Sequence, residues 1–244
     1  MDYNDIIDKG FVGEPYSAFF DVWPWMGLGA AIVLLILLFC THWLRSDKTK
    51  SRFFDPVSLA WMAVVVYLLH NVEEYGCDLY GNKVAFAIFM EQLLGMHASE
   101  ASCLCTNLCF VWIVGPLTAV FVQRGYYSMA AGMAMFELVN GSMHVGQMIN
   151  LGCYNPGALN SLVMCLPLGI WTLYALYGKA KWPKIDMLWL LLSVLFYHVV
   201  LIGGLLGAIK IGLPDWGQGL VMVLDACCLF YFWWLIGHKR KANE

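Results

Sequence analysis

Residues 57–76 read VSLAWMAVVVYLLHNVEEYG, and this stretch decides the fold because it is long and apolar enough to cross a bilayer. About 20 mostly apolar residues span the roughly 30 Å of hydrocarbon as a helix. The same stretch carries His70, Glu73 and Glu74. An ionised carboxylate at the bilayer centre costs roughly 2.5–3.5 kcal/mol, so these groups need a metal, protons or cationic partners. We interpret them as one half of a site built from several polar groups on different helices.

The composition is that of a polytopic membrane protein. Hydrophobic residues make up 61 % of the 244 residues and charged residues only 13 %, which is unlike a soluble domain. We predict an all-α transmembrane bundle of about seven spans, with an amphipathic or re-entrant helix near 84–97. The predicted spans are 23–44, 57–76, 103–123, 127–150, 156–178, 186–209 and 218–237.

The Lys and Arg residues predict the orientation, because short cytoplasmic loops carry an excess of them. Of the 14 in the chain, three (Lys9, Lys83 and Lys210) fall on one side and the other eleven on the opposite side. The C-terminus is therefore predicted to be cytoplasmic and the N-terminus outside. The predicted segments are an extracytoplasmic stretch 1–22, the bundle 23–237 and a cytoplasmic tail 238–244. The eleven are Arg45, Lys48, Lys50, Arg52, Arg124, Lys179, Lys181, Lys184, Lys239, Arg240 and Lys241.

The surroundings of the protein are less well defined by its sequence. The net charge is −3, and the orientation of the spans accounts for the basic residues, so nothing indicates nucleic-acid binding. A bacterial inner membrane and a eukaryotic organelle membrane both suit this topology. Cysteines 77, 103, 105 and 153 fall near the predicted outer face, but their spacing does not select a disulfide pairing.

The fourth predicted span supplies the second half of the site. Glu137, Asn140 and His144 follow one another at i, i+3 and i+7, so they share a helical face. Both spans run outward, which places Asn140 and His144 at the level of the first cluster. Imidazole and carboxylate ligands suit Zn, Fe and Mn, and paired carboxylates can bridge two metal ions. The predicted metal ligands are His70, Glu73, Glu74, Asn140, His144 and His198.

Other intramembrane or interfacial polar residues are weaker candidates. Asp225, Glu91 and His97 could complete the shell, although a lone acid or imidazole in a span is often a hydrogen-bonded core residue. The whole cluster also has a structural alternative, which is a polar network without a metal.

Three motifs in order resemble the HXXEE-motif family of integral membrane proteins. They are His70-x-x-Glu73-Glu74, Asn140-x-x-x-His144 and the segment Tyr154-Asn155-Pro156-Gly157, and the resemblance covers about residues 55–180. It implies a helical membrane domain with paired acidic and His/Asn motifs. It implies no particular reaction or substrate, and the spans at both ends of this chain are additional to it.

These features favour a membrane-embedded metalloenzyme that acts on a lipid or other apolar substrate. A zinc site would support hydrolysis with Glu73 or Glu74 as general base, whereas a diiron or dimanganese site would support oxidation. The alternative functions are a metal-ion or proton transporter and a non-catalytic subunit of a membrane complex. The protein could also form an oligomer. A retinal photoreceptor is excluded because 218–237 contains no lysine for a Schiff base.

Overall fold

The computed structural model describes residues 2–180 and 184–241, with the backbone alone for 177–180. The described residues form helices, turns and loops and no strand, which confirms the all-α prediction. Lys181, used in the prediction of orientation, and the tail residues 242–244 lie outside the described residues, as does the side chain of Lys179.

Nine helices, numbered here in chain order, make up the described part of the chain. They are α1 (Tyr3–Ile7), α2 (Trp23–Cys40), α3 (Pro56–Gly76), α4 (Ala85–Leu94), α5 (Glu100–Gln123), α6 (Ser128–Leu151), α7 (Ala158–Asn160 continuing through Ser161–Cys165 and Leu166–Ala180), α8 (Lys184–Lys210) and α9 (Asp215–Lys241).

Six of these helices, α2, α3, α5, α7, α8 and α9, are long and apolar enough to cross a membrane. Helix α6 falls outside this group because Glu137, Asn140, His144 and Gln147 lower its hydropathy. With 24 residues it is about 36 Å long, which still matches the thickness of a bilayer. The described structure thus supports a membrane protein with at least six candidate spans.

Helix α3 occupies the centre of the bundle. Of the six candidate spans it is the most buried, at 72 % of its most apolar window. It packs against α2, α5 and α6. The helix begins at Asp55, whose carboxylate accepts a hydrogen bond of 3.0 Å from the Ser58 amide, and Pro56 takes the first helical position. Polar residues on α3 therefore face protein rather than lipid.

Four helices are interrupted by π-helical turns, at Val72–Gly76, Leu108–Val114, Ser161–Cys165 and Val200–Gly204. A π turn inserts an extra residue into the helical ladder and rotates the side chains that follow it, and such turns are frequent at functional sites. The first of them carries Glu73 and Glu74.

The N-terminal segment covers one end of the bundle. Tyr3, Ile6 and Ile7 of α1 pack against Ala85 and Phe89 of α4. Helix α4 lies within the stretch 84–97, where the sequence predicts an additional amphipathic or re-entrant helix. Its 10 residues are about 15 Å long, too short to span a bilayer, and it ends at Gly95, which has a φ of +64°.

Candidate metal centre

Two imidazoles and one carboxylate converge between α3 and α6. Oε1 of Glu74 lies 3.4 Å from Nε2 of His70 and 3.3 Å from Nε2 of His144. The two imidazole rings are 4.7 Å apart at an interplanar angle of 80°. All three side chains are buried, His70 completely. Helices α3 and α6 thus bring together three of the predicted ligands, one carboxylate and two imidazoles.

The spacing of the three atoms fits a shared metal ion. Tetrahedral zinc has bonds of about 2.0–2.2 Å to nitrogen and oxygen, so two of its ligand atoms are roughly 3.3–3.5 Å apart. The two nitrogen–oxygen distances fall in that range, and one ligand atom from each residue lies within 4.8 Å of the others. The nitrogens of His70 have no hydrogen-bond partner, although the side chain is fully buried. A metal ion would satisfy one of them.

Glu73 points to a different part of the protein. Its Oε1 accepts hydrogen bonds from the Tyr154 hydroxyl at 2.6 Å and from the amides of Gly157 at 3.1 Å and Leu159 at 3.0 Å. Its Oε2 accepts a hydrogen bond from the Asn160 amide at 2.6 Å. Glu73 therefore holds the first turn of α7, where a carboxylate also suits the helix dipole.

The loop between α6 and α7 orients His144. Asn155 is fully buried, and its Oδ1 lies 2.6 Å from Nδ1 of His144. Because the amide oxygen can only accept, Nδ1 carries the proton and Nε2 is left free to bind a metal. The Nδ2 of Asn155 in turn donates to Oε1 of Gln147 at 2.7 Å. Such an outer hydrogen bond is common for metal-binding histidines.

Gly157 lets the backbone of this loop lie against both imidazoles. A β-carbon at position 157 would stand 2.8 Å from Cε1 of His70 and 2.9 Å from Cε1 of His144. The residue also has a φ of +94°, which favours glycine. Sequence reasoning noticed this loop only through the family resemblance and gave Asn155 and Gly157 no role.

A second amide fixes the other oxygen of Glu74. Nδ2 of Asn71 donates to Oε2 of Glu74 at 3.2 Å and to Oδ1 of Asn107 on α5 at 2.8 Å. Asn71 is buried, and this contact leaves Oε1 of Glu74 directed at the two imidazoles.

Two residues of the cluster, Glu74 and His144, line a cavity of about 180 Å³ at one end of the bundle. The cavity is mostly apolar, and its lining includes Tyr67, Phe86, Met90, Leu201 and Leu205. Glu74 and His144 reach it, as do Asn140 and His198. The structure thus brings all four to one cavity, with Asn140 and His198 outside the three-residue group.

The remaining candidates lie outside the three-residue group, although Glu91 lines the same cavity. Both oxygens of Glu137 are buried without a hydrogen-bond partner, and Glu137 does not line the cavity of the cluster. Asp225 on α9 is buried, also outside that cavity. His97 pairs with Glu91 at 2.9 Å near the N-terminal segment. All nine cysteines are free.

Comparison with known proteins confirms the resemblance seen in the sequence. Residues 61–172 match the family described as "Protein of unknown function with HXXEE motif". The matched region contains His70, Glu73, Glu74, His144 and the loop with Asn155 and Gly157. No curated protein and no solved structure matched the chain.

Proposed function

Since residues 61–172 belong to the HXXEE family, which carries no assigned reaction, we propose from the geometry that this protein is a membrane-embedded, metal-dependent enzyme acting on a lipid or other apolar substrate. His70, Glu74 and His144 are the proposed ligands. The observation that carries the proposal is the convergence of these three groups beside an apolar cavity that Glu74 and His144 line. Buried charges of this kind are normally paired or bound to a metal.

The contacts of Glu73 favour one metal ion over two. A bridged pair of ions needs further carboxylates at the centre. Glu73 is the nearest in sequence, but its two oxygens accept four hydrogen bonds from Tyr154 and the start of α7. We therefore assign Glu73 to the structure of the loop and Glu74 to the metal, which replaces the earlier expectation of a shared catalytic role.

Two kinds of chemistry suit two histidines and one carboxylate. This donor set holds zinc in hydrolases, where the metal activates water, and iron(II) in oxygenases. The protein would supply the ligands, the hydrogen bond that orients His144 and an apolar surrounding that limits access of bulk water. The identity of the bound metal decides between the two.

Transport through the bundle is less well supported. The inner parts of α3 and α6 consist of buried apolar side chains, including Val57, Val64, Met129 and Phe136. The polar residues buried among them are Ser58, Ser128 and Glu137, and Glu137 is enclosed. A path that opens to both sides of the membrane needs polar groups along its length. The cluster instead lies at one end of the bundle.

We further propose that α6 is a seventh span, with the N-terminus outside and the C-terminus cytoplasmic. The length of α6 and the distribution of Lys and Arg support this arrangement. The metal cluster then lies in the outer half of the bilayer.

Element-resolved metal analysis of detergent-purified protein tests the proposal. We expect about one zinc, iron or manganese ion per chain after growth with these metals supplied. Glu74→Gln, which keeps the shape of the side chain, should lower the content strongly, and His144→Ala should abolish it. Glu137→Gln is the matched control, because it changes a buried acid outside the cluster and should retain the metal. Absence of metal from the wild-type protein, or its full retention in Glu74→Gln, would refute the assignment.

A further inference from the structure

Asn140 on α6 and His198 on α8 line the cavity, and each carries a buried polar atom without a hydrogen-bond partner. The two atoms are Oδ1 of Asn140 and Nε2 of His198. His198 is only 4 % exposed. A buried polar atom without a partner costs about 1–3 kcal/mol, so such atoms in a binding cavity indicate where a ligand supplies the missing contact.

Both atoms are hydrogen-bond acceptors. Nδ1 of His198 lies 2.8 Å from the carbonyl oxygen of Val194. A carbonyl oxygen can only accept, so Nδ1 carries the proton and Nε2 of the neutral imidazole offers a lone pair. The amide oxygen of Asn140 also accepts. The complementary group on a ligand is therefore an O–H or N–H donor.

The charges around the cavity disfavour an ionised ligand. Among the described residues that line it there is no Lys or Arg to neutralise a carboxylate or phosphate. The two lining acids are also engaged. Glu74 faces two imidazoles, and Glu91 accepts hydrogen bonds from the Tyr16 hydroxyl at 3.2 Å and the Val12 amide at 3.2 Å and pairs with His97. A cationic ligand thus finds no free carboxylate.

The entrance of the cavity lies among apolar helices. Leu94, Met143 and Ile202 line the cavity and are 40 %, 39 % and 37 % exposed, so the cavity reaches the surface between α4, α6 and α8. In a membrane this part of α6 and α8 faces lipid. A volume of about 180 Å³ corresponds to roughly six waters at about 30 Å³ each. A methylene group is of similar size, so about six carbons of an alkyl chain fit inside, and the rest of a longer chain extends through the entrance.

We infer that the cavity binds an uncharged single-chain amphiphile whose hydroxyl or N–H group donates a hydrogen bond to Asn140 or His198. This inference rests on the proposed function, because it names the substrate class of the same site. His70, Glu74 and His144 then hold the metal, and Asn140 and His198 position the polar end of the substrate beside it. The alkyl chain lies along the apolar lining towards α4 and α8.

Binding of four chain-matched probes tests the inference in wild-type protein. The probes are 1-dodecanol, its methyl ether, dodecanoate and dodecyltrimethylammonium, each titrated at a fixed ratio to detergent and followed by native mass spectrometry. One hydrogen bond makes 1-dodecanol bind between about 2-fold and 12-fold tighter than the ether. Both charged probes should bind more weakly than the alcohol. Equal binding of alcohol and ether, or a preference for a charged probe, would overturn the inference.

Variants test which residues accept the hydrogen bond from the alcohol. Asn140→Leu and His198→Phe remove the acceptors and keep similar side-chain size, so each should reduce the preference for alcohol over ether. Thr118→Val is the control, because its hydroxyl is also buried without a partner but lies outside the cavity. Metal content is measured on the same preparations. Loss of metal from His198→Phe would overturn the inference, because it would make His198 a metal ligand. A wild-type protein that prefers the alcohol but holds no metal would refute only the proposed metal chemistry.

Discussion

The backbone of Gly157 lies in close contact with the imidazole ring of His70. A β-carbon at Gly157 would be 2.8 Å from Cε1 of His70, a distance that real β-carbons do not reach without displacement of a neighbour. The positive φ of +94° adds backbone strain for any other residue. The position of a loop glycine and the position of a proposed metal ligand are thus directly coupled.

Gly157→Ala should therefore weaken metal binding at least about 10-fold, because it displaces His70 and His144, and should destabilise the fold by about 1–3 kcal/mol. Metal titration and thermal unfolding measure the two effects. Gly146→Ala is the control, since a β-carbon there meets nothing within 4 Å. In the interior of α6 that change is expected to be neutral or stabilising. Wild-type metal affinity in Gly157→Ala would contradict the coupling.

Glu73→Gln and Glu74→Gln should have different effects. Glu73 receives four hydrogen-bond donors on its two oxygens, and a glutamine would turn an NH₂ group towards one of them. We expect a loss of stability of about 1–3 kcal/mol with metal retained. Glu74→Gln should lose metal with a smaller change in unfolding temperature. The reverse pattern, measured by metal content and thermal unfolding, would exchange the two roles.

Asn155→Ala should reduce metal affinity by roughly 10- to 100-fold, because His144 loses the hydrogen bond that fixes its ring. Competition with a chromophoric chelator measures this affinity. The control Asn150→Ala changes an exposed asparagine on α6, the helix that carries His144, and should have no effect. An unchanged affinity in Asn155→Ala would show that His144 does not depend on this contact.

The contribution of Tyr154 to stability should depend on pH only under alkaline conditions. Burial raises the pKa of Tyr154 above its ordinary value near 10, and the hydrogen bond to Glu73 and its negative charge raise it further. Folded protein then keeps a proton that the unfolded chain loses. The stabilisation is complete below pH of about 10 and is lost as the pH rises above that value.

Comparison of wild type with Tyr154→Phe isolates this effect. At neutral pH the variant should be less stable by about 1 kcal/mol, since it lacks the hydrogen bond to Glu73. The difference should stay constant up to pH of about 10 and narrow above it in thermal unfolding experiments. A difference that changes between pH 6 and 8 would point to another titrating group.

Labelling of Cys77 tests the proposed orientation. Cys77 is exposed just beyond the end of α3, on the side of the metal cluster. A membrane-impermeant maleimide added to intact cells or vesicles of native orientation should label it from outside, and Cys77→Ser should remove that signal. Labelling of Cys77 only after permeabilisation would invert the orientation.

Much of the architecture could be predicted from the sequence because burial in lipid demands long apolar helices. The pairing of His70 and Glu74 with His144 could also be predicted, since helical spacing and depth place them together. The separation of Glu73 from Glu74 could not. It depends on the four hydrogen-bond donors that Tyr154 and the start of α7 offer to Glu73 once the helices are packed.

The role of the α6–α7 loop could not be predicted from the sequence either. Asn155 and Gly157 act through a hydrogen bond and a close approach that exist only once α3, α6 and α7 are packed. The low hydropathy of α6 has a related cause. Its polar residues lower its apolar character because they face the cavity or the interior of the bundle rather than lipid.

The contact between Glu73 and the first turn of α7 has a consequence for biogenesis. The proposed metal ligands come from two helices that are synthesised about seventy residues apart, and the loop that orients them follows both. The centre therefore cannot be complete while α3 alone is in the membrane. If the proposed centre holds a metal, it is complete only once the chain has been synthesised through residue 160, so the nascent chain would acquire its metal late.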